Sequence, residues 1–276
     1  MQNSLSPNQT KPSFLLLSTI LPLALFLCQC MVVDVESPVG SGIEVHETRF
    51  LASFRNINVN AKIPVTIQKG AEYSATLIAD NNLTQYMHTS VWGNDLNIEI
   101  DYGLQTRIAP SLLITTPDLN SVIQNSSGTV EFSRTPHFED LSLEINGNGS
   151  IYFSGSVDHL QTNLIGSGYL SVEGETDFLT GELNGNGEIH AENLLAQDAD
   201  IIMRGGGLFG LDLDHHSTLK LNMDGPGKLE WWGNPEHLKY TIQGEGKIVE
   251  HRGLPKKTAN AIKNLAAKIP STIVSK

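Results

Sequence analysis

The sequence LTGELNGNGEIHA, residues 179–191, contains the unit from which the fold can be predicted. Its centre is Gly185-Asn186-Gly187, and apolar residues alternate with polar ones on both sides of it. Alternation with a period of two is typical of β-strands, and closely spaced glycines are typical of tight turns. The unit therefore predicts a strand, a tight turn and a second strand.

This unit occurs six times at a nearly constant interval of 19 or 20 residues. A period near 20 indicates a stacked repeat architecture, since one such unit has too few strands to enclose a core. The glycines predicted to form the turns are Gly147, Gly149, Gly166, Gly168, Gly185, Gly187, Gly205, Gly207, Gly225, Gly227, Gly244 and Gly246. We expect both glycines of each turn to be needed because φ is positive there.

Apolar residues occupy matching places in the six units. The place two residues before the turn holds Ile145, Leu164, Leu183, Met203, Met223 and Ile242, and the place two residues after it holds Ile151, Leu170, Ile189, Phe209, Leu229 and Ile248. Stacked units lie about 4.8 Å apart, so these places become continuous apolar ladders. Burial of each side chain then contributes about 1.5–3 kcal/mol.

We therefore predict an all-β fold, a right-handed parallel β-helix of about seven rungs, each of about 20 residues. The seventh rung comes from the weaker unit Ser126-Ser127-Gly128. A β-propeller or a sandwich is the alternative, although 20 residues are too few for a four-stranded blade. Residues 46–116 are strand-rich without glycine triplets, which predicts either irregular early rungs or an antiparallel cap.

The C-terminal residues follow a helical pattern. Residues 254–276 predict a basic amphipathic helix and tail, with Ile262, Leu265, Ala266 and Ile269 at helical spacing. We expect a short capping helix on the last rung, and a helix that contacts a partner or a membrane surface is the alternative. The β-helical domain is accordingly predicted to span residues 46–253.

The N-terminus carries an apolar segment, residues 14–27, that is too short to span a bilayer and predicts a signal peptide over residues 1–29. The two cysteines of the chain, Cys28 and Cys30, end it. We expect a lipoprotein type of leader with the lipid on Cys30, or alternatively on Cys28; ordinary secretory cleavage after Cys30 is the other interpretation. Residues 30–45 contain Gly40-Ser41-Gly42 and predict a flexible tether.

The formal net charge of −12 argues against a nucleic-acid partner, because an acidic surface repels phosphates. Strands rather than helices follow the glycine triplets, so they do not form a dinucleotide site. The densest ionisable cluster is Asp212, Asp214, His215 and His216, which we interpret as a water-facing strand and turn rather than a metal site. We expect no catalytic residue, no metal and no cofactor.

Three aromatic residues, Tyr152, Tyr169 and Trp232, fall at outward places of the units. Exposed aromatic rings on a flat β surface can stack on sugars or dock a protein. We therefore predict a glycan or protein ligand for this surface. For Trp232 the alternative is that the N-terminal cap or the C-terminal helix covers it.

Several segments together resemble the bacterial family of auto-transporter adhesin head domains known as the GIN domain. They are Thr48-Arg49-Phe50, the Val65–Gly70 segment, the Asp80–Leu83 stretch and Gly233-Asn234-Pro235 before the last triplet. The resemblance covers about residues 40–252. The chain differs from the family in using Asn, Pro, Gly and Glu where the family favours Ser in the triplets, and in its basic C-terminal helix.

The resemblance implies an exported β-helical domain and brings no catalytic residues with it. We expect a non-enzymatic adhesin or ligand-binding protein, anchored by lipid at the outer membrane, in the periplasm or on the cell surface. A carbohydrate-active enzyme on the same fold and a structural periplasmic protein without an external ligand are the alternatives.

Overall fold

A computed structural model of the chain describes residues 37–101, 103–133 and 136–251. The predicted signal peptide, with Cys28 and Cys30, and the predicted helix of residues 254–276 lie outside the described residues. The fold is all-β, with a β-solenoid of about six turns, close to the seven rungs predicted. The propeller and sandwich alternatives are therefore wrong.

Seventeen strands form the sheet in this part of the chain, and no helix there has the length and hydropathy to cross a membrane. The strands are β1 (Glu44–Phe50), β2 (Asn56–Val59), β3 (Val65–Lys69), β4 (Ser74–Asp80), β5 (Met87–Trp92), β6 (Asp95–Ile100), β7 (Ser111–Thr116), β8 (Ser121–Gln124), β9 (Thr129–Ser133), β10 (His137–Gly147), β11 (Ser150–Gly166), β12 (Tyr169–Gly185), β13 (Glu188–Arg204), β14 (Leu208–Asp224), β15 (Lys228–Gly233), β16 (His237–Gln243) and β17 (Lys247–His251).

The rungs stack in register, as the repeat predicted. Strands β11 to β14 each run 17 residues from one glycine turn to the next and pair in parallel. Leu164 pairs with Leu183, and Leu183 pairs with Met203. These three side chains are at most 1% exposed, so the predicted apolar ladders form the core.

The two glycines of each turn are required for different reasons, which corrects the expectation that both have positive φ. The first glycines have φ between 95° and 128°. The second glycines instead lie against the carbonyl oxygen of a neighbouring rung: a Cβ on Gly168 would lie 2.7 Å from Gly149 O, and one on Gly187 would lie 2.8 Å from Gly168 O. The first glycine permits the backbone bend, and the second permits the close approach of rungs.

Each rung has a second corner that the triplets did not reveal. Gly155 pairs with Gly174 there, and both Gly174 and Gly233 have positive φ. Strands β13 and β14 have no glycine at this corner, and their pairing registers shift beside it. The extra residue of the two 20-residue units lies at this irregularity, which behaves as a β-bulge.

The N-terminal region contains both of the predicted arrangements, irregular rungs and an antiparallel cap. Strands β2 and β3 form a rung that lies between two later ones, since β2 pairs in parallel with β6 and β8, and β3 with β7 and β9. Antiparallel strands close the end: β5 pairs with β6, β4 with β7, and β1 with β4. The core thus has no open strand edge on β6 or β7.

The last residues of the range predicted as a tether are bound to this cap. The buried carboxylate of Asp80 accepts hydrogen bonds from the backbone N–H groups of Gly42, Arg107 and Ile108 at 2.7–3.0 Å. Strand β1 begins at Glu44, within the predicted tether. Within the described residues, order therefore begins before the predicted domain boundary at residue 46.

The C-terminal end of the solenoid exposes its core columns. Leu238 and Tyr240 of β16 pair with the buried Leu219 and Leu221, yet they are 42% and 55% exposed. In the described part of the chain, β16 pairs only with β14, and β17 only with β15. That residues 254–276 cover this end stays a prediction.

The close approach of rungs at the second glycine gives a test. We expect Gly168→Ala to lower the free energy of unfolding by about 1–3 kcal/mol, because the new methyl overlaps Gly149 O. Ser167→Ala changes an exposed residue of the same turn and should stay within about 0.5 kcal/mol of the wild type. Urea unfolding compares them, and equal midpoints for the two variants would refute the steric explanation.

Candidate functional site

Outward side chains that follow the glycine turns form one surface, here called the aromatic face. Because alternation directs Leu170, Ile189 and Phe209 into the core, the residues between them must point to solvent. The aromatic face consists of Tyr152, Tyr169, Glu188, His190, Glu192, Gly210, Asp212, Glu230, Trp232 and His251. It crosses six consecutive rungs of the solenoid.

Two of the predicted binding residues lie together at one end of this face. The ring of Tyr152 is 5.6 Å from that of Tyr169, between centroids, and Tyr169 stacks on His190 at 5.0 Å and 29°. Tyr152 is 41% exposed. Burial raises the pKa of Tyr169, and the nearby carboxylates add to the rise. The three rings form a continuous stack over neighbouring rungs.

The third predicted residue, Trp232, belongs to a separate aromatic group. It stands on β15, three strand spacings or about 14 Å from β12 along the axis. Its indole is half-buried and stacks on the imidazole of His251 at 4.2 Å and 8°. Trp231 points inward and is buried, as the alternation predicted. One side of the Trp232 ring is thus covered by the next rung.

The middle of the face is an ion-pair cluster that the sequence analysis missed. His190 Nδ1 lies 2.9 Å from Glu192 Oε1, and its Nε2 lies 3.0 Å from Glu188 Oε2. The hydrogen bond to Glu192 raises the pKa of His190 to about 9 against the opposing effect of burial, and Glu188 raises it further. Imidazolium is therefore the form present at neutral pH.

Gly210 makes room for this cluster. A Cβ at Gly210 would lie 2.8 Å from Glu192 Oε2 and 3.8 Å from the Trp232 ring. Burial alone would raise the pKa of Glu192, but the hydrogen bond and charge of His190 lower it. A carboxylate is thereby held between the two aromatic groups, and burial raises the pKa of Asp212 beside it.

The cluster of Asp212, Asp214, His215 and His216 is dispersed by the fold. Asp212 belongs to the aromatic face, whereas His215 and His216 are exposed in a segment where the register between β13 and β14 shifts. Among the residues that the structure describes, no group of three or more His, Cys, Asp or Glu side chains is placed to hold a metal ion.

Comparison with known proteins identifies a family. Residues 53–235 match the family described as "Putative auto-transporter adhesin, head GIN domain". No curated protein matches the sequence significantly.

Solved structures with the same fold come from intestinal-type Bacteroides and Parabacteroides species. A "putative adhesin" of Bacteroides fragilis is 19% identical with a TM-score of 0.70, covering 77% of this chain and 99% of its own. A "putative adhesin" of Parabacteroides merdae is 16% identical with a TM-score of 0.65, covering 78% and 99%. A "putative lipid binding protein" of Parabacteroides distasonis is 20% identical with a TM-score of 0.62, covering 77% and 98%. Likeness at this identity shows the fold alone.

The His190 cluster makes stability depend on pH. Because its folded pKa of about 9 exceeds the ordinary value of 6.5, its contribution is complete below about pH 6.5 and is lost as pH rises through about 9. We expect His190→Gln to cost about 1–2 kcal/mol of unfolding free energy near pH 6, and much less above pH 9. Denaturant unfolding at both pH values measures this.

The exposed His216 supplies the matched control, since its side chain is 88% exposed. His216→Gln should change the unfolding free energy by less than about 0.5 kcal/mol at either pH. A penalty for His190→Gln that is the same at both pH values would show that the charge of the imidazole does not stabilise the face.

Proposed function

Since this chain belongs to the family described as "Putative auto-transporter adhesin, head GIN domain", we propose that it is a non-enzymatic cell-envelope protein that binds a ligand through its aromatic face. The observation that carries the proposal is the stack of Tyr152, Tyr169 and His190 on the outside of a rigid parallel sheet. Rings fixed in this way lose little conformational entropy when a ligand stacks on them.

The electrostatics of the face favour binding over catalysis. Hydrolysis of a glycoside by two carboxyl groups needs one protonated and one ionised group on either side of a bond. Asp212 has a raised pKa, but its partners on the neighbouring strands are Leu195 and Trp232. Glu188 and Glu192 are both held by His190. This arrangement supports the adhesin rather than the carbohydrate-active enzyme.

The charge of the face limits the class of ligand. Its carboxylates, together with the net charge of −12, repel polyanions such as nucleic acids. A neutral glycan or a protein surface is compatible with rings interspersed among acids. The ligand is therefore a glycan or a protein met outside the cytoplasm.

Membership of an adhesin family indicates an exported or surface protein. Within that compartment we place the protein on a lipid anchor at Cys30, with Cys28 as the alternative, in the outer membrane or at the cell surface. The rival assignment is a structural periplasmic protein without an external ligand. Protease treatment of intact cells separates the two, because only a surface protein is digested.

An array of glycans and host proteins tests the binding face. We expect Tyr152→Ser with Tyr169→Ser to weaken binding of the purified protein at least tenfold, which is about 1.4 kcal/mol. Tyr240→Ser, at a tyrosine that is 55% exposed on another side of the solenoid, should bind as the wild type does. Release of products from a polysaccharide panel, abolished by Asp212→Asn, would instead establish the enzyme.

Labelling cells with a fatty-acid probe tests the anchor. The wild-type protein should incorporate the probe, and Cys30→Ala should abolish incorporation and release the protein from the membrane fraction, because acylation requires the cysteine thiol. Cys28→Ala serves as the matched variant and should stay labelled. Loss of label in Cys28→Ala alone would assign the lipid to Cys28, and label in neither protein would refute the anchor.

A further inference from the structure

A cleft of about 200 Å³ lies on a different side of the coil from the aromatic face. It runs across three rungs, between a row formed by Asp140, His159 and Phe178 and a row formed by Ser142, Gln161 and Thr180. Within each row the residues pair with one another on β10, β11 and β12, so they repeat at about 4.8 Å. Asn120 completes the lining.

The polar groups of this cleft differ from those elsewhere on the same side. Nearby asparagines bond to each other between rungs: Asn58 to Asn97, Asn125 to Asn60, and Asn146 to Asn125, each at 3.0 Å. In the cleft, by contrast, the side chains of four polar residues make no hydrogen bond to any described residue. They are Asn120, Ser142, Gln161 and Thr180. Uncharged donors and acceptors are thus available to a ligand.

The charges of the cleft restrict the ligand further. The carboxylate of Asp140 is already paired with His159 at 3.2 Å, so it offers little to a cation. The lining contains no lysine or arginine, so an anion would lack a counter-charge. Phe178 is 36% exposed and supplies an apolar ring at the edge. Hydroxyl and amide groups beside one ring match a molecule with hydroxyls and an apolar C–H face.

We propose that this cleft binds a single neutral sugar residue, with its hydroxyls on Gln161, Ser142, Thr180 and Asn120 and its C–H face against Phe178. The volume is below the range of about 300–1,000 Å³ that is typical of sites for larger ligands, which fits one ring. The inference rests on the proposed function and deepens it, because it names the chemistry of a glycan ligand at a second side of the coil.

NMR titration of the purified protein with neutral methyl glycosides of glucose, galactose, mannose and N-acetylglucosamine tests the site. We expect millimolar binding by at least one of them, with shifts in the side-chain amide signals of Gln161 and Asn120. Gln161→Ala and Phe178→Leu should each weaken that binding about tenfold. Asn184→Ala, at an exposed amide on the same side of β12 outside the cleft, should leave it unchanged.

The outcomes separate this site from the aromatic face. No shift with any glycoside, or binding that Gln161→Ala leaves intact, overturns the inference. Shifts confined to Tyr152 and Tyr169 overturn it while supporting the proposed function. Binding lost in Gln161→Ala but retained when both tyrosines are replaced supports the cleft and removes the aromatic face. The spectra of the free variants, unchanged away from the substitution, show that the fold persists.

Discussion

Contact between the glycine turns of successive rungs is the constraint on which the rest of the structure depends. The second glycine of each turn brings its Cα close to a carbonyl oxygen of a neighbouring rung, where a side chain would not fit. This approach fixes the register, and the register places like residues over like. Continuous apolar columns follow from it, and they are what stabilises units too small to fold alone.

The same register organises the outer surface. Residues that follow the turns stack over each other at the strand spacing, which brings Tyr169 against His190 and Trp232 against His251. On another side it pairs asparagines between rungs and leaves a cleft where amides and hydroxyls are unpaired. Binding surfaces on this fold are therefore arrays defined by backbone geometry, and a single residue change alters one place in an array without disturbing its neighbours.

The sequence predicted the columns and turns because they depend on local alternation and on glycine. It did not predict the second corner, since only Gly155 and Gly174 mark it at the repeat interval. The room that Gly181 leaves for the ring of Phe209 depends on contact across the core, which no pattern within one rung shows. The ion pairs of His190 had a signal, Glu188 and Glu192 two residues away on either side, whereas the unpaired groups of the cleft required the hydrogen-bond partners of every neighbour.

The position of the rung formed by β2 and β3, between strands that come later in the chain, sets an order of assembly. Its two partners, β6–β7 and β8–β9, end 47 and 64 residues after β3 ends at Lys69. A chain that emerges gradually from its N-terminus cannot complete this rung until residue 133 is free, because contacts of such sequence separation form slowly. The later rungs each need only the one before. The N-terminal third is therefore the nucleus onto which the remaining coils are added in sequence.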